Sequence, residues 1–162
     1  MISVIVSKEV RCTLRLAVAR AAAAAVNAEL GMTAVWQVGV ALVSDSRIRT
    51  LNKMFRGRDA VTDVLSFADA TDTVGWPESG EYLGDIIISY PQAARQAKQA
   101  GVTIKQEVSL LIVHGLLHLL GYDHEQSRAA AAVMDQLQQR CVRRLGFPLD
   151  MRYNKQKTAR LV

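Results

Sequence analysis

Histidine, cysteine, proline and aromatic residues are all scarce in this chain. Its 162 residues hold three His, two Cys, three Pro and 6% Phe, Trp and Tyr. Cys12 and Cys141 stand alone, with no CxxC spacing, so neither a disulfide framework nor a cysteine metal cluster is expected. They read as small apolar residues on helix faces in a reducing compartment. No apolar run is long enough to span a bilayer: Ala21 to Val26 is bracketed by Arg20 and Glu29. The charges Lys8, Glu9, Arg11, Arg15 and Arg20 break up any signal-peptide core, and the strand-like Ile2 to Val6 argues against a transit peptide. The expectation is a cytoplasmic protein with no membrane partner. Repeats, heptads and low-complexity linkers are lacking as well. Acidic residues are fewer than basic ones, 15 against 20, for a net charge of +5. That balance favours anionic partners, nucleic acid first.

What remains is the patterning of a single domain over residues 1–151, followed by a basic, aperiodic tail at 152–162 that reads as frayed. Ile2 to Val6 is a short strand, and Ser7 is placed to cap a helix running to about Leu30, with Gly31 as its stop. Ala34 to Val43 reads as a strand. Ser44-Asp45-Ser46 opens a helix in which Ile48, Leu51, Met54 and Phe55 recur at helical spacing. Arg56-Gly57-Arg58-Asp59 is a basic turn and Thr62 to Phe67 a short strand. Asp69 to Glu81 is an acidic, turn-rich loop. Leu83 to Ser89 is apolar almost throughout, as a central strand would be. Pro91 starts a helix that ends near Gly101. Thr103 and Gln106 fit a capping box ahead of a long apolar helix reaching Leu120, largely buried because apolar residues surround it. A last helix runs from about Gln126 to Leu145. Strands first and helices later give an α+β fold: a small mixed sheet packed against helices, with a buried, metal-bearing helix at its centre.

All three histidines fall in one eleven-residue window, His114-Gly-Leu-Leu-His118-Leu-Leu-Gly121-Tyr122-Asp123-His124. His114 and His118 are four apart, so a helix puts both rings on one face. Gly121 can take the left-handed conformation that ends a helix and turns the chain. Three neutral imidazoles with an open fourth position are the donor set of a catalytic zinc site, and one Zn2+ is expected, with nickel or copper as alternatives. Asp123 and Glu125 flank the third ligand, either as partners orienting a ring or as exposed charges. The spacing resembles the metzincin pattern, except that Gly115 replaces the glutamate that acts as general base in those proteases. A peptidase therefore becomes a minor alternative, and Gly115 is expected to admit another backbone or a bulky substrate beside the metal. Metal-assisted attack on phosphate needs a cation nearby, for which Arg56 and Arg58 are candidates.

This window resembles the signature of the YbeY family of endoribonucleases, also called rRNA maturation factors. Leu51-Asn52-Lys-Met-Phe55-Arg56-Gly-Arg-Asp59-Ala-Val61-Thr62-Asp63-Val64-Leu65-Ser66-Phe67 is similar to the family's central motif, and Leu83-Gly84-Asp85-Ile86 to its following strand. The resemblance covers about Leu51 to His124. It implies a zinc-dependent hydrolase of single-stranded RNA, ribosomal RNA above all, acting in rRNA maturation and ribosome quality control, with ribosomal proteins or ribosome-associated factors as partners. It implies His114, His118 and His124 as metal ligands, with His114 essential to catalysis, and Arg56 as the catalytic arginine facing the metal across a basic cleft. Val61 and Phe55 depart from the family's common proline and tyrosine, so Phe55 is given no polar role. The attacking nucleophile, water or the ribose 2′-hydroxyl, stays open. Two other readings stand beside this one: an RNA- or ribosome-binding factor with weak catalysis, and a metal-dependent hydrolase of a non-RNA substrate.

Overall fold

In a computed structural model, residues 1–68, 82–122 and 127–147 are described, and they alternate strand and helix in the order β1 (Ile2–Lys8), α1 (Leu16–Leu30), β2 (Trp36–Val43), α2 (Asp45–Arg56), β3 (Val64–Ala68), β4 (Tyr82–Ser89), α3 (Tyr90–Ala100), α4 (Ile104–Leu119) and α5 (Arg128–Arg144). The acidic segment 69–81 and the basic tail lie outside the described residues. The four strands form one mixed sheet in the order β1-β2-β4-β3. β1 runs parallel to β2, with α1 as the crossover, β2 runs parallel to β4, and β3 is antiparallel to β4. The fold is α+β, as the sequence predicts, and β4 lies inside the sheet as its apolar run requires.

Alternation along the strands divides the interior. Val40, Leu42, Val64, Ile86 and Ile88 point into the main core with α1, α4 and α5. Val43, Leu65 and the half-buried Phe67 and Ile87 point the other way, into a small cluster closed by Ile48 and Leu51 of α2. α4 is the centre of the larger core. It touches α1, α3, α5, β3 and β4, and every residue from Glu107 to Leu117 is buried. An all-round apolar helix has this one stable location in a domain of this size.

The helix ends follow local chemistry. Ser44, Ser89, Thr103 and Ser127 each accept a hydrogen bond from the backbone three residues on. Thr103 and Gln106 complete the expected capping box. The Ser7 expectation is wrong: Ser7 lies within β1, paired with Ala41. Parallel pairing with β2 extends through Lys8, and α1 begins only at Leu16 with no side-chain cap. Cross-strand pairing here overrides a capping signal that is purely local.

Candidate metal centre

α4 carries two of the three histidines. Four-residue spacing stacks His114 and His118 on one helix face, with ring centroids 4.7 Å apart and planes inclined at 75°. His114 is 7% exposed and His118 is half-buried, so the face opens toward the C-terminal end of the helix. Two imidazoles on one tetrahedral ion, with metal–nitrogen bonds of about 2.0–2.1 Å, have ring centres roughly 5 Å apart. The observed ring separation is close to that value. Among the described residues no third His, Cys, Asp or Glu joins the pair to complete a ligand set. The third expected ligand, His124, lies outside the described residues, as do Asp123 and Glu125.

The turn after α4 is the one the sequence calls for. Tyr122 N–H donates to the Leu117 carbonyl and Gly121 N–H to the His118 carbonyl, both at 3.0 Å. Gly121 has φ +85°. This pair of bonds around a left-handed glycine is a Schellman motif, which satisfies the last carbonyls of the helix and reverses the chain two residues before His124.

Gly115 behaves differently from the expectation that it admits a backbone or a substrate. A Cβ at this position would lie 2.8 Å from Cγ2 and 3.0 Å from both Cδ1 and Cγ1 of Ile86. It is the β4 side chain that fills the space, so Gly115 serves the contact between helix and sheet. The same contact excludes the glutamate of the protease pattern, because a longer side chain at 115 would point into the centre of the sheet.

One residue beside the histidines has no counterpart in the sequence reading. Gln138 of α5 places its Oε1 2.9 Å from His114 Nδ1, in a buried contact. It was legible in principle. Met134, Gln138 and Cys141 share the inner stripe of α5, and a polar residue on such a stripe signals a partner across the interface.

Arg56 ends α2 and is exposed. Gly57, at φ +67°, stops the helix there. Asn52 is buried and donates to the Ala60 carbonyl at 2.8 Å, tying the following turn back to α2. Arg49 at 2.6 Å and Lys53 at 3.0 Å both engage Asp59, and their hydrogen bonds hold its carboxyl below the usual range. The central motif is thus largely a scaffold that presents Arg56. Asp63 belongs to that scaffold: it accepts from Val64 N–H at 2.9 Å and from Gln96 of α3 at 3.1 Å. Phe55, without a hydroxyl, packs edge-on against Phe67 at 5.0 Å. Asp85 faces out of the sheet and accepts from the Tyr82 hydroxyl. Gly39 on β2 leaves room for both, since a Cβ there would fall 2.1 Å from the Asp85 carboxylate.

Comparison with known proteins agrees with this architecture. The family model described as endoribonuclease YbeY matches residues 6–146. An endoribonuclease YbeY of Chloroflexus aurantiacus is 46% identical over 134 residues, covering 81% of this chain and 86% of that protein. One from Moorella thermoacetica is 44% identical over 131 residues, covering 78% and 81%. The solution structure of TM1509 from Thermotoga maritima superposes with a TM-score of 0.59 at 29% identity, over 89% of this chain and 88% of that one.

Proposed function

The chain belongs to the endoribonuclease YbeY family, and from that premise we propose that it is a zinc-dependent endoribonuclease. In this reading it hydrolyses phosphodiester bonds of single-stranded RNA in the cytoplasm, in rRNA maturation and ribosome quality control, in contact with ribosomal components. The observation that carries the metal part is the His114–His118 pair, whose 4.7 Å ring separation suits one ion. His114, His118 and His124 would hold it, leaving a fourth position open. When bound, zinc lowers the pKa of water and polarises a phosphoryl oxygen.

The rest of the chemistry falls to the chain's own groups. The imidazoles must be neutral to act as donors. Arg56 offers a planar, permanently charged guanidinium that matches two phosphate oxygens and offsets charge building on phosphorus. The net charge of +5 favours a polyanionic substrate. Gly115 supplies no carboxylate base, which weighs against peptide hydrolysis.

Cleavage of unstructured RNA by the purified protein, before and after chelation, tests the reading. Activity should vanish with the metal, return on adding zinc, and be lost in a folded His114→Ala protein, with no hydrolysis of casein in parallel. Full RNA cleavage by protein shown to be metal-free would refute the zinc mechanism. Binding of RNA without cleavage would favour a binding factor. A 2′,3′-cyclic phosphate end would exclude direct attack by water.

A further inference from the structure

We propose that Gln138 is a positioning residue for His114: its side-chain carbonyl accepts the Nδ1 proton and so leaves the Nε2 lone pair of that imidazole for the metal. The inference rests on the reading of His114 as a ligand, but its first consequence is present without metal.

A neutral imidazole carries one ring proton, and the partner of one nitrogen decides the state of the other. Oε1 of Gln138 lies 2.9 Å from Nδ1, and an amide oxygen can only accept, so in the proposed arrangement the proton is on Nδ1 and Nε2 keeps its lone pair. The reversed amide would donate to Nδ1, place the proton on Nε2 and close that nitrogen to a metal. The two arrangements are therefore chemically opposite, and only one suits a ligand. Both residues are 7% exposed, so water competes little for either atom. A glutamine on the apolar stripe of α5 would weaken the core without such a partner.

The contact is held from outside. α5 packs against both α1 and α4. Two and six residues beyond Gln138, Arg140 and Arg144 reach Glu29 of α1 at 2.7 and 2.8 Å. The Glu29 side chain is only 11% exposed. This clamp fixes the rotation of α5 about its axis, and with it the direction in which Gln138 points. Buried Met134, Leu137, Cys141 and Val142 fix its depth. Outer partners of this kind set the tautomer and orientation of ligating histidines, and losing one typically weakens metal binding about 10- to 100-fold.

The test is long-range nitrogen-15 NMR of the histidine ring in the metal-free full-length protein, joined to zinc affinity by chelator competition. The wild type should show His114 as the Nδ1–H tautomer before any metal is added. Gln138→Leu should shift the ring toward Nε2–H and weaken zinc binding about 10- to 100-fold. Gln138→Glu keeps the acceptor and should retain both tautomer and affinity. An Nε2–H tautomer in the metal-free wild type would overturn the proposal without any variant, so a Gln138→Leu protein that fails to fold does not protect it. A folded Gln138→Leu protein with unchanged tautomer and affinity would overturn it too. If the wild type binds no zinc, the metal reading falls, while the tautomer measurement still decides what Gln138 does to His114.

Discussion

Replacing Gly115 by alanine tests whether helix–sheet contact, rather than access to the site, explains this glycine. In an exposed helix the change stabilises by about 1 kcal/mol through propensity. Here the new methyl group meets three carbons of Ile86 at 2.8 to 3.0 Å, where ordinary carbon contacts are about 3.5–4.0 Å. Ile86 is fully buried, and Cγ1 and Cγ2 branch from one carbon, so no single rotation clears both. α4 and β4 must separate or Ile86 must leave its rotamer, an overpacking cost of about 1–3 kcal/mol. The balance is a destabilisation of about 1 kcal/mol. Ile86→Ala alone costs about 2–5 kcal/mol, because it empties a core position. In that background all three clashing carbons are gone, and Gly115→Ala should now stabilise by the propensity term. Chemical unfolding of the wild type, both single variants and the double variant gives the coupling. A Gly115→Ala protein stabilised equally in both backgrounds would refute the role assigned to the Ile86 contact.

Other expectations follow from neighbouring contacts. Arg56→Ala should lower kcat for RNA cleavage by about 100-fold or more in a protein shown to be folded, as expected for loss of one group that offsets charge in the transition state; unchanged turnover would remove its role. At Asp45 burial opposes ionisation, but hydrogen bonds from Ser89 and Arg95, with the charge of Arg95, outweigh it and hold the carboxyl below its ordinary 3.8. A lowered native pKa gives stability that is complete above pH ~4 and is lost as pH falls through the native value. Asp45→Asn should therefore cost about 0.5 kcal/mol at neutral pH, discounted for solvent screening, and flatten the acid limb of the melting profile; an unaltered limb would count against the pairing. Cys141 is pushed up to about 11, by burial first and by Glu29 second. Native protein at pH 8 should expose Cys12 to a thiol reagent while Cys141 reacts only on unfolding, and rapid native labelling of Cys141 would contradict its packing.

The parts of the fold legible in the sequence are those specified within a few residues. Gly31, Gly101 and Gly121 mark helix ends because only a left-handed residue closes those turns, and all three have positive φ. The Thr103 capping box is a four-residue device and could be read directly. The His114–His118 pair follows from helix period alone. What was misread or unseen depends on partners far along the chain. Ser7 looked like a cap because its strand partner, Ala41, is 34 residues away. Gly115 looked like an opening because Ile86 comes from another element. Gln138 resembles the other polar residues of α5 in sequence, since its partner is a ring 24 residues earlier. The motif around Arg56 is contiguous in sequence, but the turn behind it depends on Asn52 reaching Ala60 and on Asp59 reaching Arg49 and Lys53.

α4 carries the His114–His118 pair and is also the element on which most others rest. Amide hydrogens along its middle are expected to be among the last to exchange. A ligand seated on it is therefore linked to global unfolding, and its binding energy adds to the stability of the entire domain. The same coupling restricts variation. From Glu107 to Leu117 a change that alters the chemistry also alters folding, whereas burial relaxes only at His118 and Leu119 near the helix end.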